Sequence, residues 1–150
     1  KAEIHKIHLA ALLHDVGKMG QALAAPGGAE LAKWKEEHVL AGEKVLSTID
    51  GFEDVIPGVK YHHEYMDGSG FPHKAKGDAI PMMARIICVA NDFDNATTRG
   101  GLSGQGLPVK EVLIDMGRRG TTIYDDGVIQ SLLVCHRNGT LFAPTSPFEL

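Results

Sequence analysis

The histidines and one aspartate of this chain fall in a pattern that could hold metal. The chain has eight histidines, and four of them recur at even steps in apolar surroundings. His14 ends an apolar stretch and is followed at once by Asp15; His38 comes 24 residues later, and the pair His62–His63, followed by Glu64, comes 24 residues after that. A single histidine on an apolar helix face is more often a packed core residue than a ligand. Four of them on three separate helices, with an aspartate beside the first, point instead to a metal site. Imidazole nitrogen together with carboxylate oxygen suits divalent iron, manganese, zinc or nickel. A carboxylate can bridge two ions, so Asp15 is the natural bridging group. Two ions about 3.5–4 Å apart can clamp a phosphate during in-line displacement. That is phosphodiester chemistry without a protein nucleophile. The pattern by itself leaves the substrate open.

Helices must carry these ligands. Helix-period apolar spacing recurs along the chain, while strand signals are nearly absent. A first helix is expected over about residues 2–16, with Ile4, Ile7 and Ala11 in phase and Gly17 ending it. A loop over 19–28 carries Pro26, Gly27 and Gly28. A second helix is expected over about 29–49, with Leu31, Trp34, Val39, Val45 and Leu46 inward. A third spans about 52–65, where Pro57 and Gly58 mark a bend or a late start. The segment DGSGFPHKAKGDAIP is a loop, and Pro81 fits the first turn of a fourth helix over 82–98. RGGLSGQGLP is another loop, and Pro108 opens a fifth helix ending near Gly117. Asp125 is placed to cap a sixth, which carries Val128, Ile129, Leu132 and Leu133. The tail after Gly139 reads as irregular. The pattern predicts an all-α bundle, with residues 1–150 as one domain.

Composition narrows the partners. At 43% hydrophobic and 23% charged residues the chain has enough apolar material for a core. A formal net charge of −4 makes DNA or another long polynucleotide a poor partner. A small anion is still compatible, because a bound metal can override net charge locally. Cys88 and Cys135 both lie in apolar helical patterns and are expected to be buried free thiols. That fits a reducing, cytoplasmic setting. No membrane helix is expected, since none of the apolar runs approaches the ~20 residues needed, and no signal peptide is visible. Lys1 already lies inside a helical pattern, so the chain is expected to be part of a longer protein.

Specific strings then carry a resemblance. AALLHDVGK resembles the HD signature of the HD superfamily of metal-dependent phosphohydrolases. HHEYMDGSGFP is similar to the extended motif of the HD-GYP subfamily, with Phe71 where tyrosine is usual. IPMMARIICVANDFDNATT and GTTIYDDGVIQSLL resemble its downstream and last helices, so the likeness runs from about residue 9 to 134. The resemblance implies an HD-domain bundle of about five to seven helices around two or three metal ions, often iron or manganese. It implies hydrolysis of cyclic di-GMP to linear pGpG and onward to GMP, by the output domain of a longer bacterial signalling protein. A diguanylate cyclase (GGDEF) domain and a second copy of the chain are candidate partners. Carried over residue by residue, His14, Asp15, His38, His62 and His63 are the metal ligands, with Asp15 bridging. Lys18 would contact a phosphate oxygen; otherwise it is a solvated residue past a helix end. Asp67, Gly68, Gly70, Phe71 and Pro72 belong to the signature loop, either near guanine and phosphate or shaping the site from outside. Arg85 would pair with a phosphate or with a local carboxylate.

The chain also departs from the family pattern. Asn91 stands at a metal position where the fourth helix should carry aspartate; asparagine keeps a carbonyl oxygen but loses the charge, weakening any ion held there. Asp92 is turned about 100° around the helix from it, and Asp94 matches the family's second aspartate. His73, Lys74 and Ala75 replace the usual Gly-Leu after the loop proline, and no Arg-Pro-Tyr is clear in TTRGGLSG. His5, His8, His73 and His136 read as surface or packing residues. Two other functions stay open on these departures. One is a catalytically degenerate binding or interaction module in cyclic-dinucleotide signalling. The other is an HD phosphohydrolase for a different nucleotide.

Overall fold

A computed structural model describes residues 1–21, 27, 30–98, 105–120 and 122–142. These residues form six α-helices and no strand. They are α1 (Ala2–Leu13), α2 (Glu30–Leu46), α3 (Ile56–Tyr61), α4 (Met82–Thr98), α5 (Val109–Arg119) and α6 (Asp126–Arg137). Short 3-10 turns cover Val16–Gly20 and Gly77–Ala79. Among the described residues no helix is long and apolar enough to cross a membrane.

The helical reading holds, and the differences lie at the ends. α1 stops at Leu13 rather than near residue 16, because Asp15 leaves helical geometry and the backbone tightens into the 3-10 turn. α3 is six residues rather than about fourteen: it begins at Ile56, with Pro57 in the first turn where its missing N–H costs nothing. α4 has the expected bounds, and α5 runs on to Arg119. Asp125 caps α6 as expected, its side chain accepting from the Val128 amide at 3.1 Å. Most of the expected 19–28 loop, the first part of the RGGLSGQGLP loop and the tail beyond 142 lie outside the described residues. Cys88 is buried as expected, and burial pushes its thiol pKa well up. Cys135 is exposed, contrary to expectation. α6 turns Ile129 into the core, and position 135, six residues on, lies about 120° round the helix from it.

Two apolar clusters meet on α4. Ala10, Leu46, Val55, Val59, Met83 and Ile87 bind α4 to the first three helices. Cys88, Val89, Phe93, Val112, Leu113, Met116, Tyr124 and Ile129 bind it to the last two. At Gly58, a Cβ would lie 2.7 Å from both the Ala10 Cβ and the Met83 sulfur. Glycine is what lets α3 sit that close to α1 and α4, and so fixes where the chain delivers His62 and His63.

Candidate metal centre

The ends of α1 and α3 and the middle of α2 converge on one spot. His14 closes α1, and its Nδ1 lies 2.7 Å from the Ala11 carbonyl. Asp15 starts the 3-10 turn, and Gly17 within that turn presses directly on α2. A Cβ at Gly17 would lie 1.9 Å from the His38 carbonyl oxygen and 2.6 Å from the Gly42 nitrogen. Only glycine permits this approach, which sets Asp15 against His38. His62 follows the end of α3, with its Nδ1 2.6 Å from the Val59 carbonyl. Nδ1–H donation to a carbonyl leaves the Nε2 lone pair free and aimed inward, the arrangement of a metal-binding histidine.

Asp15, His38, His62 and His63 each offer one ligand atom, all within 4.8 Å of one another. Asp15 Oδ1 is 3.3 Å from His38 Nε2 and 3.9 Å from His62 Nε2, and the two Nε2 atoms are 3.5 Å apart. Asp15 Oδ1 is nonetheless buried without a hydrogen-bond partner. The other oxygen, Oδ2, faces Lys18 Nζ at 2.5 Å and His14 Nε2 at 3.3 Å. The carboxylate is thus divided, one oxygen toward the imidazoles of His38 and His62 and the other toward His14 and Lys18.

The protonation states suit a cation. Burial pushes His38 and His62 down to about 4 and His63 to about 2, helped by neighbouring imidazoles at each and by Lys18 at His38 and His63. All three are neutral at neutral pH. Burial also opposes ionisation of Asp15, but hydrogen bonds and charge from His14 and Lys18 prevail and hold its carboxyl well below the usual range. His14 is raised, chiefly by its hydrogen bond to Asp15. Neutral imidazoles and an ionised carboxylate are the forms a divalent metal requires. A buried carboxylate oxygen with no donor is costly unless a cation meets it. The residues present therefore fit a divalent ion.

The signature loop covers one side of this cluster. The Phe71 ring stacks on His63 with centroids 4.6 Å apart and planes at 26°, and the Phe71 amide donates to the His63 carbonyl at 3.1 Å. At Gly70 a Cβ would lie 2.5 Å from the His63 oxygen, the Glu64 Cα and the Tyr65 nitrogen. Asp67 and Gly68 form the turn itself: Asp67 Oδ1 accepts from the Ser69 amide at 2.8 Å, and Gly68 has a φ of 83°. Pro72 follows Phe71 and is half-buried. Sequence reasoning missed the residue that holds this loop down. Glu64 is only 2% exposed. Its two oxygens accept from the His73 amide at 2.7 Å and the Ala75 amide at 3.1 Å. An acid directly after two ligand histidines was the available signal, and its anchoring role needed the return path of the loop.

Two other expected site residues, Arg85 and Asn91, have their hydrogen-bond partners outside the ligand cluster. Arg85 is committed to carboxylates, donating to Asp125 at 2.9 Å and Asp78 at 3.0 Å, and to the Ile80 carbonyl at 2.7 Å. It ties the base of α4 to the cap of α6. Asn91 Oδ1 accepts from Asn95 Nδ2 at 3.0 Å on the same helix. Asp92 does not replace it: its Oδ2 accepts from the Tyr65 hydroxyl at 3.0 Å and the Tyr124 hydroxyl at 2.9 Å. Burial pushes the Asp92 carboxyl up, against both of those hydrogen bonds.

Known proteins are similar to this chain in sequence and in fold. A family model described as HD domain matches residues 1–128, and the chain belongs to that family. It is 39% identical over 90 residues to the 3'3'-cGAMP-specific phosphodiesterase 3 of Vibrio cholerae serotype O1, covering 57% of this chain and 20% of that protein. It is 29% identical over 141 residues to the cyclic di-GMP phosphodiesterase of Thermotoga maritima, covering 87% of this chain and 37% of that protein. The fold matches that of Bd1817, a HDG"Y"P protein from Bdellovibrio bacteriovorus, with a TM-score of 0.68 at 23% identity over 88% of this chain and 43% of that one. With its HHE and DGSGFP strings in place, the chain is an HD-GYP domain. It spans well under half the length of these curated relatives.

Proposed function

We propose that this chain hydrolyses a cyclic dinucleotide, with cyclic di-GMP as first substrate and pGpG or GMP as product. The site would hold two divalent ions, iron or manganese, on His14, Asp15, His38, His62 and His63. One observation carries this reading: the buried, partnerless Asp15 Oδ1 among imidazoles held neutral. Bound ions would supply Lewis-acid activation of the phosphate and of water. The divided Asp15 carboxylate can serve one ion on each side. Lys18, now on Asp15 Oδ2, sits where it can turn to a phosphate oxygen as negative charge develops there. Phe71 and the loop pinned by Glu64 shield the His63 side from water. The names of the relatives also bring 3'3'-cGAMP forward as a substrate.

The test pairs elemental analysis of anaerobically purified protein with turnover of cyclic di-GMP and 3'3'-cGAMP after adding iron or manganese. Metal near two equivalents with linear dinucleotide or GMP appearing supports the reading. Metal-loaded protein that leaves both substrates intact removes it. A second reading, a binding module that has lost turnover, rests on Asn91, an uncharged residue where the family pattern carries an aspartate ligand. Asn91→Asp separates the two. Under the enzyme reading it raises metal affinity or turnover by on the order of tenfold, comparable to a supporting metal-site contact. No change in either would mean that position 91 does not reach the metal.

A further inference from the structure

A groove of about 310 Å³ lies beside the ligand cluster, lined by Leu31, Ala32, Lys35 and Glu36 of α2 and by Phe71. It is at the small end of the ~300–1,000 Å³ range of small-molecule clefts. Its far wall is the Phe71 ring that stacks on His63, so whatever enters it is one ring away from the metal-binding imidazoles. Its near wall is the turn of α2 that precedes His38. Lys35 is three residues before that ligand, and residues at that spacing are neighbours on one helix face. Its charge is felt as far as Asp92 on α4, where it opposes the rise of that carboxyl.

The charges in this groove differ from those beside it. Lys33 and Glu37 pair with each other at 3.7 Å, as exposed helix charges commonly do. Lys35 and Glu36 are exposed, and among the described residues neither has an ion-pair partner. The groove thus offers an aromatic face, an aliphatic wall, one unspent cation and one unspent carboxylate. That set matches a purine nucleotide. A base can lie against Phe71 and Leu31, since base–aromatic stacking accepts any base. Glu36 then supplies selectivity. Guanine presents two adjacent donors, N1–H and the exocyclic amino group, to a carboxylate. Adenine has an acceptor at N1.

Resting on the phosphodiesterase reading, we infer that this groove is a guanine-selective subsite. Glu36 accepts from the guanine edge, and Lys35 pairs with the phosphate that is not being cleaved. A site built to hydrogen-bond a base rejects the analogue that cannot return those bonds. The discrimination from one bidentate pair is on the order of tenfold.

Two readouts test this, one independent of turnover. Trp34 is the sole tryptophan and neighbours Lys35, so its fluorescence reports occupancy when GMP or AMP is titrated into the chain. The same proteins are assayed for kcat/KM on cyclic di-GMP and on cyclic di-AMP, which has no guanine. Wild type is expected to bind GMP about tenfold more tightly than AMP. Glu36→Gln should erase that difference and narrow the cyclic di-GMP to cyclic di-AMP ratio, whereas Glu37→Gln should move neither. Lys35→Ala should weaken GMP and AMP alike. If wild type turns over cyclic dinucleotides and Glu36→Gln keeps both the GMP preference and the substrate ratio, the subsite is overturned while the enzyme stands. If no cyclic dinucleotide is cleaved but Glu36→Gln still erases the GMP preference, the subsite stands and the enzyme falls. Equal binding of GMP and AMP by wild type overturns the subsite whatever the turnover.

Discussion

Asp15 and Asp92 are both half-buried acids in the same small protein, and their surroundings make them opposites. Asp15 is ringed by nitrogen: His14 and Lys18 on one oxygen, His38 and His62 near the other. Its pKa is pulled down, and one oxygen has no hydrogen-bond partner. Asp92 is ringed by phenols, both of which donate to one oxygen, and burial pulls its pKa up. Burial opposes the charged form in both places; the sign of the outcome is decided by whether the neighbours are cations or neutral donors. An ionised carboxylate with an unspent oxygen is prepared for an ion. A carboxylate spent on two tyrosines is a strut between α4, the segment after His63 and the approach to α6.

The comparison breaks most sharply at Asp15. Asp15→Asn keeps the size and one oxygen but removes the charge that the imidazoles face. Loss of a supporting partner around a metal site costs about 10–100-fold in affinity, so loss of this ligand is expected to exceed that. Metal content after dialysis should fall to near zero, and turnover with it. Protein that keeps its metal would show that the histidines suffice, and the parallel with Asp92 would collapse.

Next in size is the packing that sets Asp15 in place. Gly17→Ala puts a methyl 1.9 Å from the His38 carbonyl, an overlap with backbone that no rotamer change relieves. Overpacking of this kind costs about 1–3 kcal/mol or somewhat more, which in a domain of this size lowers Tm by several degrees, at about 2–4 °C per kcal/mol. Metal affinity should fall in the same variant, because the turn must back away from α2. A Gly17→Ala protein with unchanged Tm and metal content would mean that the contact is dispensable.

What the sequence made legible follows the same division. Asp15, His38, His62 and His63 could be picked out as one candidate site because metal chemistry restricts residue type, and their spacing spread them over three helical segments that then converge. The six helices were legible from apolar period, since each needed only one buried face. The partners of Asp92 were not, because Tyr65 and Tyr124 reach it from 27 and 32 residues away along the chain. No local pattern encodes a phenol arriving from another element. The anchoring role of Glu64 was hidden for the same reason: its hydrogen bonds come from the backbone amides of His73 and Ala75, which any residue type but proline could provide. Cys135 failed for a different reason. SLLVCHR is apolar on more than one face, and periodicity alone did not say which side met the core.

The subtlest difference between the two regions is their response to pH. In metal-free protein, His38 and His62 have folded pKa values of about 4 against an ordinary 6.5. A depressed folded pKa means that the unfolded chain takes up protons first. The stability these residues allow is complete above about pH 6.5 and is lost as pH falls toward 4. Asp92 runs the other way: its raised pKa gives stability that is full below the ordinary carboxylate value and is lost as pH rises through the folded one. Asp92→Asn removes that opposing contribution while an amide oxygen still accepts from both tyrosines. Its Tm at neutral pH should therefore equal or slightly exceed that of wild type, within about 1 kcal/mol, the scale of a single hydrogen bond. Chelator-treated wild type should meanwhile lose Tm steadily from pH 6.5 to 4, and Asp92→Asn should follow the same fall, since the histidines that cause it are untouched. A marked loss of stability in Asp92→Asn at neutral pH would mean that the negative charge on Asp92 is itself required. The acid among the phenols would then be no strut, and the contrast with Asp15 would need to be drawn elsewhere.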